Sequence, residues 1–187
     1  MKIQYLACFV VFTFFVMDFI IRKDRKATSI KKTEEDKGSM KIIALTFLVI
    51  IICTEILKYF GIGEFSNLVI ATVALIFMFL GLGIRIYSML TLKKSYTRTL
   101  LTTAKQELIR TGLYKTIRHP GYLGTILIWM FFGLAIENYI ITIIGVLLII
   151  VAYSYRINNE EKMLQKQFGQ EYQDYQKVTW RIIPYIW

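Results

Sequence analysis

One histidine, two prolines and two cysteines are all that 187 residues hold of the types that most often build metal sites, rigid turns and disulfides. A lone His without a ligand cluster argues against a metal centre. Cys8 and Cys53 fall inside apolar runs with no CxxC spacing, so both read as small hydrophobes and not as a redox pair. Gly81-Leu-Gly83 has neither the third glycine nor the preceding strand of a nucleotide-binding loop. Acidic residues are also scarce, 13 against 23 Lys and Arg, for a net charge of +10. In excess are hydrophobic residues, 56% of the chain, gathered into runs near the roughly 18–20 residues that cross a bilayer.

These runs predict an all-α, polytopic integral membrane protein with about five transmembrane helices: Ile3–Ile21, Ile42–Phe60, Leu68–Leu90, Pro120–Ile136 and Tyr139–Tyr155. No cleavable signal peptide is expected, because the first run is long and Arg22-Lys-Asp-Arg25-Lys follows it. Asp18 near its end is expected at the interface. Residues 22–41 read as a polar linker. Glu55 and Lys58 are three apart and can pair within the bundle. Gly81 and Gly83 can permit close helix packing. Gly61–Asn67 and Glu137-Asn138 are short turns, the second making an antiparallel hairpin of the last two spans. Beyond Tyr155 the chain is polar but periodic, with Leu164, Phe168, Tyr172 and Tyr175 on one stripe and a break at Gly169. This tail is expected as a cytoplasmic amphipathic helix on the membrane or folded back over the spans.

Charge placement orients the bundle. Eight basic residues lie in the first linker, seven between Thr91 and Arg118 and five after Tyr155, while the two short turns hold none. The positive-inside rule then puts the N-terminus outside and the C-terminus in the cytoplasm. Topology accounts for the basic excess, so no nucleic acid partner is implied; the bilayer is the expected surrounding.

Arg118-His119-Pro120-Gly121-Tyr122 stands where a polar segment becomes apolar. Pro120 suits the first turn of a helix and keeps His119 extended. The unpaired N–H groups of that helix start would face the Arg118-His119 step and suit an anionic group, and Gly121 and Gly124 would let something approach closely. A plain membrane-entry turn among headgroups is the competing reading. Arg156 and Glu160, four apart, emerge on the same side at the other end of the hairpin. They are either a surface ion pair or charges turned into a half-buried pocket.

Several ordered motifs then carry a resemblance. Gln106-Glu-Leu-Ile-Arg-Thr-Gly-Leu-Tyr114, Arg118-His119-Pro120-Gly-Tyr122-Leu-Gly124, Arg156-Ile-Asn-Asn-Glu160-Glu161, Phe168-Gly-Gln-Glu-Tyr172-Gln-Asp-Tyr175 and Ile183-Pro184 together resemble the isoprenylcysteine carboxyl methyltransferase family, a relative of the membrane phospholipid methyltransferases. The likeness covers the chain from the third span onward. It implies one membrane methyltransferase domain over residues 1–187, with N-terminal spans and linker in 1–67 and a catalytic half in 68–187. It implies S-adenosyl-L-methionine as cofactor, contacted by Gln106, Glu107, Leu108, Ile109, Tyr114, His119, Pro120, Gly121, Tyr122 and Glu160. Arg156 falls where the family holds the substrate carboxylate, and no metal is implied. The family usually carries His at the position of Gln106 and more often Ser at that of Gly121.

The residue types suit carboxyl O-methylation of an isoprenylcysteine-like lipophilic substrate. A carboxylate is already ionised at neutral pH, so positioning and water exclusion suffice and no strong base is needed. Other acceptors, such as a phospholipid amine or an isoprenoid, and a non-enzymatic helical membrane scaffold, remain the alternatives at this stage.

Overall fold

The computed structural model describes residues 3–26, 38–96 and 108–185. Among the described residues six α-helices form in order: α1 Ile3–Lys26, α2 Ser39–Tyr59, α3 Leu68–Tyr96, α4 Pro120–Ala135, α5 Tyr139–Phe168 and α6 Gln170–Lys177, with a 3-10 turn at Gly112–Lys115 before α4. Within α1, α2, α3 and α5 lie stretches long and apolar enough to cross a membrane, while α4, with 16 residues, is a shorter apolar helix. The chain is an integral membrane helical bundle. Leu45, Ile76, Leu147 and Val151, each at least 60% exposed, turn outward as lipid-facing side chains do.

Backbone proximity explains how α4 sits at the centre. A Cβ on Gly81 of α3 would come within 2.6 Å of the Gly124 carbonyl, and one on Gly124 within 2.5 Å of the Gly81 carbonyl. Only glycine at both positions lets these helices close on each other. At Gly83, the other candidate for close packing, an added Cβ would meet nothing within 4 Å. What approaches Gly124 is therefore α3. Elsewhere on α4, Trp129 is buried against the α1 and α2 aromatics, and Phe132 packs edge-on against Trp129.

One end of the bundle is tied by its two turns. Asn138 caps α5, its side chain accepting from the Ile141 N–H, and donates through Nδ2 to the Ile62 carbonyl at 2.9 Å. Glu137 takes a left-handed φ of 60°, and its carboxylate accepts from the Asn67 N–H at 3.0 Å and from Gln4 at 3.3 Å. The hairpin of the last two apolar segments is thus as expected. Glu55 and Lys58 both face outward, exposed, and form no ion pair with each other, so they are not a pair within the bundle.

The main departure is in α5. Sequence polarity puts the end of the last span near Tyr155, but the helix continues unbroken to Phe168. Hydropathy marks where a helix changes surroundings; its backbone hydrogen bonds need not stop there. Gly169, at φ 54°, makes the break, and α6 folds back toward the bundle.

Candidate active site

Between α1, α2 and α5 and beneath α6 lies a cavity of about 750 Å³. The two ends of the last hairpin meet in its wall. From the start of α4 come His119, Gly121 and Tyr122; from α5 come Tyr153, Arg156, Glu160, Leu164 and Phe168. The helical break at Gly169 brings Tyr172 and Tyr175 to the same space, so the stripe seen in the sequence faces inward.

A polar layer crosses the cavity. The Tyr122 hydroxyl donates to Glu160 and accepts from Arg156 Nε at 3.0 Å. Arg156 Nε is also 3.3 Å from Glu160, and its Nη1 donates to Ser39 Oγ at 2.7 Å. The phenol therefore bridges cation and anion, and α5 is bound to both α4 and α2. Side chains only about one-fifth exposed hold this pair, so it is less screened by water than a surface pair. Of the two readings of Arg156 and Glu160, the inward one is what forms.

A second polar tie lies across the same space. Arg85 of α3 donates to Asp18 at 3.0 Å and to the Gly121 carbonyl at 3.2 Å, and both charged residues line the cavity. Asp18, its side chain 15% exposed, is thus tied into the bundle by an ion pair with Arg85, 67 residues away.

Behind His119 sits a clasp that the sequence did not disclose. Glu161, side chain 6% exposed, accepts from Arg118 Nε and Arg181 Nη2, both at 2.8 Å. His119 Nε2 is 3.4 Å from the same carboxylate, long for a hydrogen bond, and its ring stacks on Tyr122 with planes 9° apart. The Arg118 and His119 N–H groups donate to the Trp180 and Arg181 carbonyls at 2.7 and 3.0 Å. Arg118 also reaches the Thr179 carbonyl. The segment after α6 is thereby strapped along the entry to α4. The first helical N–H groups of α4 are less open than Pro120 suggested: those of Tyr122 and Leu123 both turn to the His119 carbonyl.

Of the residues singled out from sequence, Leu108, Ile109, Tyr114, His119, Gly121, Tyr122, Arg156 and Glu160 line one cavity. Pro120 is buried as the first residue of α4 and acts through the backbone. Gln106 and Glu107 lie outside the described residues. The structure adds Asp18, Ser39, Arg85, Arg118, Glu161, Tyr172 and Tyr175. Arg118 and Glu161 stand in the sequence motifs, and Tyr172 and Tyr175 share a helical stripe; Ser39 and Arg85 had no such signal.

The donor set offers a polar ligand definite partners. The Tyr172 hydroxyl is buried, lines the cavity and has no hydrogen-bond partner among the described residues. Burial raises its pKa well above the ordinary phenol range. Burial likewise pushes Tyr175 up to about 12, against the lowering pull of Arg118 and Arg110, and its hydroxyl donates to the Tyr114 carbonyl at 2.5 Å. Both phenols stay neutral donors at physiological pH. Glu160 and the rings of Tyr122, Tyr172 and Tyr175 line the same cavity, groups that suit a cationic ligand. No group of three or more potential metal ligands occurs among the described residues.

Comparison with known proteins agrees with this architecture. The model of the isoprenylcysteine carboxyl methyltransferase (ICMT) family matches residues 70–166. A probable protein-S-isoprenylcysteine O-methyltransferase of Oryza sativa subsp. indica is 27% identical over 147 residues, covering 78% of this chain and 76% of the relative. The protein-S-isoprenylcysteine O-methyltransferase of Schizosaccharomyces pombe is 29% identical over 117 residues, 62% of this chain and 50% of the relative. The fold resembles that of the eukaryotic intramembrane Ras methyltransferase ICMT, with a TM-score of 0.56 and 22% identity, over 84% of this chain and 55% of that one. An inward polar layer in a multi-span bundle, set beside these relatives, defines an integral membrane methyltransferase. The chain belongs to the isoprenylcysteine carboxyl methyltransferase family.

Proposed function

We propose that the protein uses S-adenosyl-L-methionine to methylate the carboxylate of an isoprenylcysteine-like, lipid-tailed substrate, within a single catalytic domain whose site opens to the cytoplasm. The observation that carries this reading is the Arg156–Tyr122–Glu160 layer, which borders a polar space under α6 on one side and an apolar space between α1 and α2 on the other. One cavity thus suits an ionic donor and a greasy acceptor together. The alternate spacing of basic segments supports the cytoplasmic placement.

The residues fit the cofactor. Glu160, Tyr122, Tyr172 and Tyr175 would hold it with His119 and the Leu108-Ile109 strip, and S-adenosyl-L-methionine when bound supplies a methyl group activated on a sulfonium. Arg156 carries a planar guanidinium that stays charged when partly buried and matches a carboxylate bidentately. Its role is to turn one carboxylate oxygen toward the donor. Tyr122 fixes that guanidinium, and Ser39 anchors it from α2. The strap formed by residues 178–182 and α6 would keep water from the reacting atoms, and dry surroundings strengthen each charge interaction. Catalysis rests on placement, since the nucleophile needs no deprotonation.

The test is a radiolabelled methyl-transfer assay that offers a prenylcysteine analogue beside a panel of extracted lipids. Base-labile label on the analogue is the expected result. Label on a lipid amine alone would reassign the acceptor, and no transfer to anything, with no cofactor binding, would contradict the enzyme reading.

A further inference from the structure

The family match begins at residue 70, after α1 and α2, yet these two helices build most of the apolar wall of the cavity. Cavity-lining residues on α2 start at Met40, next to the Ser39 that binds Arg156, and descend through Phe47 to Ile51. At 1.5 Å per residue the wall falls ~10 Å to Phe47 and ~16 Å to Ile51. Rings gather at the level of Phe47, about one helical turn short of Ile51. Phe47 stacks on the Trp129 indole, centroids 4.5 Å apart and planes at 12°. Phe14 and Phe15 meet both rings edge-on at 5.8 to 6.3 Å. Trp129, 1% exposed, is held in α4 and gives Phe47 a fixed backing.

Sideways the same space is less enclosed. α1 packs on α3 and α4, whereas α2 packs on α5. Phe19 of α1 and Leu48 of α2 line the cavity while remaining 70% and 52% exposed. The slot above the rings therefore faces the region where lipid chains lie.

The geometry points to Phe47, backed by Trp129 and flanked by Phe14 and Phe15, as the stop that sets how long a tail the acceptor can carry. An isoprenoid or acyl chain enters between α1 and α2, lies along the Met40–Phe47 wall with its carboxylate at the polar layer, and ends against the rings. This rests on the reading of the cavity as the site of a lipid-tailed carboxylate. It assigns selectivity to the segment outside the family match. A stop of this kind discriminates strongly against a longer tail, which must displace packed aromatic rings, and weakly against a shorter one, which only forgoes contacts.

The test measures affinity of the full chain in detergent for S-geranyl-, S-farnesyl- and S-geranylgeranyl-cysteine, with methyl transfer to the same series read in parallel. Wild type should show an affinity that stops rising before the longest member. Phe47→Leu should raise the ratio of long-tail to short-tail affinity by about tenfold, the scale of one pocket-filling change. Phe15→Ala, at a ring already 37% exposed, should move the ratio the same way by less and covers the case in which Phe47→Leu fails to fold. An identical length ranking in wild type and variants, or wild-type affinity that climbs through the longest tail, overturns the assignment. A shifted ranking without methyl transfer keeps the stop and overturns the carboxyl-methylation reading. Absence of binding by every member overturns both.

Discussion

The two ends of the cavity are held together by different physics. Around α6 the walls are fixed by directed bonds: one buried carboxylate gathers Arg118 and Arg181, and three backbone hydrogen bonds join residues 116–119 to 180–181. Around α1 and α2 the walls are aromatic faces and edges, with Asp18–Arg85 and Ser39–Arg156 as polar ties. Directed bonds fix atoms to fractions of an ångström and suit chemistry on a donor. Ring packing tolerates change in shape and suits the recognition of a tail. The family match, residues 70–166, takes in Arg85, Arg118, Arg156 and Glu161, but neither α1 and α2 nor α6 and the strap after it.

The contrast can be broken first at Glu161. Replacing it by Gln leaves Arg118, 9% exposed, without its anion, and removing one partner of a buried pair costs about 3–5 kcal/mol. A thermal melt of Glu161→Gln in detergent should show a large loss of stability; an unchanged midpoint would mean the clasp is not structural. Next comes Arg156→Ala. Turnover should fall at least ~10²-fold, the scale of lost substrate placement, while cofactor affinity changes little. Wild-type rates in that variant would remove Arg156 from the mechanism. At the α3–α4 contact, Gly124→Ala forces a Cβ within 2.7 Å of the Arg85 backbone and should cost about 1–3 kcal/mol, read as a lower melting point with reduced activity. The mildest test sharpens the acceptor class: a carboxylate acceptor is ionised across pH 6–9, so kcat/KM should be nearly flat there, whereas an amine acceptor would make it rise steeply with pH.

Much of the polar layer was legible in the sequence because its parts are local. Arg156 and Glu160 share a helical face by spacing alone, and Pro120 marks a helix start beside His119. The clasp was not legible, since Arg118, Glu161 and Arg181 are far apart in the chain and no periodicity joins them. The Asp18–Arg85 pair was not legible for the same reason, the two lying 67 residues apart. A helix past Tyr155 with a break at Gly169 was legible as periodicity; that it continues α5 without interruption was not, because composition turns polar at Arg156. The stripe of Leu164, Phe168, Tyr172 and Tyr175 was visible as a pattern, but only the break at Gly169 shows which space it encloses.

The most direct measurement is equilibrium binding of tritiated S-adenosyl-L-methionine to the purified protein in detergent, wild type beside Glu160→Ala. If the two ends of the last hairpin enclose one donor, wild type binds it saturably and Glu160→Ala binds it at least ~10-fold more weakly, the loss of one charge-assisted contact. No saturable binding by wild type, or the same Kd in both proteins, would contradict it.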